Sequence, residues 1–117
     1  MDGGITTIPI NSIWYMKYVH RLKSIEVHTC NEVFYVTGSI KYWLTVLNDS
    51  DHNFYLADRG ALINTSNVTE VSVSFGEAYF VENANRKYDK SCMLAHHRIE
   101  LIVEELRLTN PSIQLKC

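Results

Sequence analysis

Proline is nearly absent from this chain. Only Pro9 and Pro111 occur, one near each end, and glycine is held to 5 of 117 residues. Nothing between them marks a linker, so the body reads as one continuous unit. Cysteine is scarce as well, with Cys30, Cys92 and Cys117 odd in number and widely spaced. A disulfide framework is therefore not expected, and a reducing cytoplasm is the natural setting. Long apolar runs are missing. Stretches such as Ala61-Leu62-Ile63 and Leu101-Ile102-Val103 fall far short of a membrane span. Met1-Asp2-Gly3-Gly4 has neither the basic nor the apolar part of a secretory signal. Without secretion, the N-x-[ST] triplets at Asn48, Asn64 and Asn67 carry no glycosylation meaning. An excess of positive charge is lacking too. There are 11 Lys+Arg against 13 Asp+Glu, a formal charge of −2 and a pI near 6.2. Read alone, that balance argues against a nucleic-acid binder, because phosphate contacts need Lys and Arg.

What is present is the profile of a single globular domain over 1–117, with 46% hydrophobic and 21% charged residues. A chain of this length can bury roughly two-thirds of its unfolded surface, enough for a core without metal or disulfide. It has no room for a receiver or sensor domain besides. Ser12 to Val19 is dominated by aromatic and aliphatic residues and reads as a strand. Ile25 to Thr29 alternates apolar and polar residues, and Val33 to Val36 forms a third strand. From Ser39, a candidate N-cap, the spacing of Ile40, Trp43, Leu44 and Leu47 predicts a helix that ends in Asn48 to Asp51. Phe54 to Leu56, Ala61 to Ile63, Val68 to Phe75 and Ala78 to Val81 read as further strands. Glu82 to Ser91 is polar and basic, and Ile99 to Leu108 suits a partly buried helix. Lys116 and Cys117 are expected to be frayed. The fold class is therefore mainly β, short antiparallel strands in stacked sheets with one or two short helices.

No catalytic constellation stands out. Walker A, G-x-G-x-x-G, H-E-x-x-H, G-x-S-x-G and C-x-x-C motifs are all missing, so no enzyme activity and no cofactor is expected. Asp49 and Asp51 read as solvated turn carboxylates, and Glu100, Glu104 and Glu105 as the charged face of the last helix. On a helix, Cys92 and His96 would share a face and could supply half a zinc site. No further ligands lie close by, and metal binding is not expected. Cys30, placed on a strand, reads as a small buried hydrophobe.

The bases, by contrast, are clustered. His20, Arg21 and Lys23 share one inter-strand segment. Arg59 sits in a polar gap between two apolar runs. Arg86, Lys87, Lys90, His96, His97 and Arg98 crowd one stretch, with only Asp89 opposing. Each cluster alone is compatible with a solubilising loop. Three of them on one small β domain suggest a patch that attracts a polyanion whatever the net charge.

Three stretches, in order, run through most of the chain. Ile8-Pro9-Ile10-Asn11-Ser12-Ile13-Trp14-Tyr15-Met16 resembles an opening "I-x-Y-(I/F)-E" strand, with Met16 where an acid is common. Tyr35-Val36-Thr37-Gly38-Ser39-Ile40-Lys41-Tyr42-Trp43 resembles an "S-L-K-E-L" helix start. The stretch from Phe54 to Val71, including Asp58-Arg59-Gly60-Ala61-Leu62-Ile63-Asn64, is the most specific. It resembles "F-x-R-(C/I)-H-(R/N)-S-(Y/F)-(I/V)-V-N-x-x-x-I-x-x-I". Together they resemble the LytTR family of bacterial DNA-binding domains over about residues 8–106, leaving 107–117 as a C-terminal tail.

The resemblance implies a stand-alone transcriptional regulator that places loops, rather than a recognition helix, in successive major grooves of double-stranded DNA. By that likeness His20, Arg21, Arg59, His96, His97 and Arg98 contact bases, while Lys23, Arg86, Lys87 and Lys90 contact phosphates. It also implies two copies on direct repeats, and it allows an inhibitory or regulatory protein partner, because family members commonly sit behind a phosphorylatable receiver. Two departures stand out. Asp58 occupies the position of the family's usual histidine. The stretch Glu82 to Leu94 is long, with His96 where an arginine often stands. The rival reading, prompted by the net acidity and Asp58, is a protein-interaction β domain that has lost DNA binding.

Overall fold

A computed structural model describes residues 8–50 and 52–116. Expectations for Met1 to Gly4, for Asp51 and for Cys117 lie outside the described residues. Strands β1 (Tyr15–Val19), β2 (Ser24–His28) and β3 (Val33–Val36) form an antiparallel meander, succeeded by helix α1 (Ile40–Asp49). The hairpin β4 (Phe54–Asp58) and β5 (Ala61–Asn64) then joins β1, giving a five-stranded sheet in the order β3-β2-β1-β5-β4. A second sheet has the order β8-β7-β6-β9, built from β6 (Glu70–Ser72), β7 (Glu77–Tyr79), β8 (Ser91–Met93) and β9 (Gln114–Lys116). Helix α2 (Ile99–Thr109) connects β8 to β9. The mainly β class and the two short helices are as the sequence implies.

The period of two along each strand sorts the side chains into two cores. Met16, Ile25, Val27 and Leu62 turn to one face of the first sheet, under Ile40 and Leu47 of α1. Tyr15, Ala61 and Ile63 turn to the other face, against Val71, Ala78 and Cys92 of the second sheet and Ile102 and Leu106 of α2. All four residues of β5 are therefore buried, which fits a strand covered on both sides. Tyr15 also stacks on its cross-strand neighbour His28, with ring centroids 4.3 Å apart.

Local chemistry sets the boundaries. Ser39 caps α1 by accepting a hydrogen bond from Tyr42 N–H. Gly38 before it has φ +108, and a Cβ there would stand 3.0 Å from Trp43 Nε1. That indole nitrogen donates to Thr37 O, so the turn and the helix start are one unit. At the other end Asn48 clamps Phe54, donating to its carbonyl and accepting from its N–H, both at 3.0 Å.

Several expectations are corrected. Ser12 is the last residue of a 3-10 turn (Ile10–Ser12), and β1 starts only at Tyr15. Val68 to Phe75 is not one strand. Only Glu70 to Ser72 pairs, because residues 73–76 turn and Gly76 takes φ +63. Ser91 does not close a polar loop but opens a strand that runs to Met93. Cys30 is exposed in the bend after β2 rather than buried on a strand. Lys116 is not frayed, since β9 pairs in parallel with β6 and Lys116 Nζ lies 3.2 Å from the buried Glu70 Oε2. Sequence periodicity misses β9 because its three residues are exposed and carry no burial pattern.

Leu62, fully buried beneath α1, is expected to cost about 2–5 kcal/mol when cut to alanine, measured as a lower midpoint of urea unfolding. His28 gives a pH dependence. Burial lowers its pKa below the ordinary histidine value, only partly offset by its hydrogen bond to Glu26 Oε1 at 2.9 Å. The folded state thus holds His28 neutral while the unfolded state takes up a proton. Stability is expected to fall as the pH drops below about 6.5. His28→Gln should flatten that limb of a stability–pH curve.

Candidate nucleic-acid interface

Strand β4 is the edge of its sheet, so one side of its backbone has no strand partner. The β4–β5 register shifts between Leu56 and Asp58, leaving Ala57 as the extra residue of a bulge. The segment before α2 covers this edge. Ala95 N–H donates to Ala57 O at 2.8 Å, and Arg98 Nε donates to Leu56 O at 3.0 Å. The Arg98 guanidinium carbon lies 5.5 Å from the centroid of the Tyr55 ring, a cation–π distance. On the other side of the hairpin, Tyr18 N–H donates to Gly60 O at 2.8 Å. That bond ties the β4–β5 turn to β1, just before the β1–β2 turn at His20 to Lys23. Lys23 closes that turn at φ +50, and the ring of His20 packs edge-on against Tyr18 at 4.9 Å.

Three loops from distant parts of the chain are thereby gathered around Asp58 and Arg59. Two open hollows share those residues. One, of about 270 Å³, is lined by Lys17 and His20 among others, and by Met93 of β8. The other, of about 760 Å³, is lined by Lys41, His97 and Arg98 over the apolar floor of Ile40, Leu44 and Leu56. Asp58 is the one carboxylate in either lining. The ion pairs among the described residues are Arg86–Glu77 and Lys116–Glu70, and the neutral His28 only hydrogen-bonds Glu26, so no cation of this face is paired.

The expected site residues divide. His20, Arg59, His97 and Arg98 come together here, with Arg21 and Lys23 exposed on the same turn as His20 and His96 exposed beside His97. The stretch 86–90 lies elsewhere. Arg86 Nε pairs with Glu77 Oε1 at 3.0 Å, its guanidinium 3.9 Å from the Phe75 ring centroid. Lys90 Nζ donates to Thr29 O at 3.0 Å, at the far end of β2 from the β1–β2 turn. Lys87 is exposed. Lys17 and Lys41 join the face without being expected from the sequence. Lys41 carries a signal, since it sits in the stretch that resembles the family's helix start. Lys17 has only its place on an apolar-rich strand.

Cys92 and His96 do not share a helix. Cys92 is buried in β8, and burial pushes its thiol up to about 12. His96, which is exposed, begins the 3-10 turn His96–Arg98. A thiol held protonated by an apolar core is a poor metal ligand. Among the described residues, no three His, Cys, Asp or Glu side chains are grouped to hold a metal ion, and no helix is long and apolar enough to cross a membrane.

Comparison with known proteins identifies the fold and the family. No curated protein matches the chain. A solved LytTr DNA-binding domain from Bacillus cereus superposes with a TM-score of 0.67 over 91% of each chain, at 12% sequence identity. At that identity the likeness is one of fold. The model of the LytTr DNA-binding domain family matches residues 3–107. The chain belongs to the LytTR family of DNA-binding domains.

Proposed function

We propose that this chain binds double-stranded DNA sequence-specifically, as the DNA-binding domain of a bacterial transcriptional regulator acting in the cytoplasm. Its basic loops enter the major groove. The observation that carries this reading is the gathering of His20, Arg59, His97 and Arg98 with Lys17 and Lys41 around one hairpin tip. Arg59 is exposed and in no ion pair among the described residues, so its guanidinium is free to donate two hydrogen bonds to guanine O6 and N7. Arg98 spends Nε on Leu56 O and keeps its terminal nitrogens for a ligand. His20, Arg21, His96 and His97 serve base edges from the flanking turns. Lys17, Lys23 and Lys41 suit phosphates, whose contacts position the protein without specifying sequence.

Of the stretch 86–90, Lys87 suits a flanking phosphate. Arg86 and Lys90 contribute less, because each has an intramolecular partner. The family likeness favours two copies on direct repeats, under the control of a regulatory protein partner. A protein-interaction role without DNA is the rival, and Asp58 is the residue that favours it.

Affinity for duplex DNA is expected to fall steeply with salt. The log–log slope should be roughly −4 if four lysines each neutralise one phosphate. A mobility shift on pooled random duplexes tests this, and no retention at low salt would sink the DNA reading in favour of the rival. Arg59→Ala should relax the preference at one base position, a loss of about 1–3 kcal/mol there. Lys87→Ala should weaken all duplexes alike.

A further inference from the structure

Asp58 is an anomaly on a face built of cations. It is exposed and lines both hollows, sharing one with Lys17 and His20, the other with Lys41, His97 and Arg98, and both with Arg59. Yet it forms no ion pair with any of them. One carboxylate oxygen is already committed, since Oδ1 accepts the Arg59 backbone N–H at 2.7 Å. That local bond restrains the carboxylate before any ligand arrives. Among the described residues, Oδ2 has no hydrogen-bond partner. The tip thus presents an acceptor oxygen, with the donor-only side chain of Arg59 next to it in sequence.

A carboxylate can only accept. Phosphate oxygens repel it, as do guanine O6 and N7 and thymine O4. In the major groove the only donors are the exocyclic amino groups of cytosine (N4) and adenine (N6). We propose that Asp58 is a specificity-determining residue that accepts a hydrogen bond from such an amino group and excludes guanine and thymine at the same position. This inference rests on the DNA-binding reading above and sharpens it. Asp58 and Arg59 form a paired acceptor and donor on one turn, able to read an amino-bearing base next to a guanine. The same carboxylate lowers affinity for duplexes that offer no amino group there, because it then faces acceptors or phosphates unpaired.

The experiment starts from a duplex selected by the full chain out of a random pool, with every single-base variant of that site measured in turn. The unsubstituted chain should favour cytosine or adenine at one position by about tenfold over guanine and thymine, and the favoured base says which amino group is read. Asp58→Ala should level that position while leaving preferences elsewhere unchanged, and should bind the disfavoured variants more tightly than the unsubstituted chain does. Asp58→Asn keeps an oxygen for Arg59 N–H and adds donors. It should tolerate guanine and thymine at that position or move its preference to adenine.

Circular dichroism melts would first check that both variants fold. Should either variant shift affinity for every duplex by one common factor, with the base preference intact, the carboxylate acts through charge alone and the inference is overturned. Failure of the unsubstituted chain to retain any duplex overturns the DNA reading first, and this inference with it.

Discussion

The bulge at Ala57 is the feature on which the candidate site depends. It bends an edge strand, and the carbonyls of Leu56 and Ala57 accept the Arg98 guanidinium and the Ala95 N–H. These two bonds dock the segment before α2 against the β4–β5 hairpin, although Arg98 and Leu56 stand 42 positions apart in the chain. With Tyr18 N–H held by Gly60 O on the other side, the hairpin tip becomes the meeting point of the β1–β2 turn, the β4–β5 turn and the entry to α2. An exposed edge would otherwise invite pairing with another chain. Here the covering segment satisfies part of it and positions three basic loops at once.

Charge placement has its origin in the same architecture. Glu70 and Glu77 are buried on the outer face of the second sheet, and each draws in a cation, Lys116 and Arg86 respectively. Burying a carboxylate unpaired costs several kcal/mol, so those two bases are committed to structure. Burial and the hydrogen bond to Glu77 together push the Tyr79 hydroxyl up to about 12, so it stays a donor to that carboxylate. Glu100, Glu104 and Glu105 lie on α2. The groups left around Asp58 and Arg59 are basic, and a net charge of −2 does not describe the field there. The average is acidic, yet Asp58 is the one carboxylate lining either hollow at the hairpin tip.

Much of the fold was legible in the chain. The alternation of Ile25 to Thr29, the Ser39 cap with Ile40, Trp43, Leu44 and Leu47, and the apolar runs flanking Asp58-Arg59-Gly60 each reported their element. Their periodicity is set directly by which face is buried. The failures also have physical causes. Periodicity cannot see β9, whose residues are exposed and which exists only because β6 offers a partner. It overextended β6 through Val73 and Phe75, which are apolar but exposed on a turn. It missed β8, which three residues define by pairing to β7.

For the site, the residue types and their family positions were visible in the sequence, including Arg59 and the departure at Asp58. Sequence alone determined the strand-rich architecture, the two helices and the three basic clusters, because propensity, capping and apolar spacing are local properties. Only tertiary structure decided which clusters converge. It joined His20, Arg59, His97 and Arg98 with Lys17 and Lys41, and it drew Arg86 to Glu77 and Lys90 to Thr29 O. Which base is free and which is spent on the fold depends on partners far away in the chain, and no local pattern encodes that.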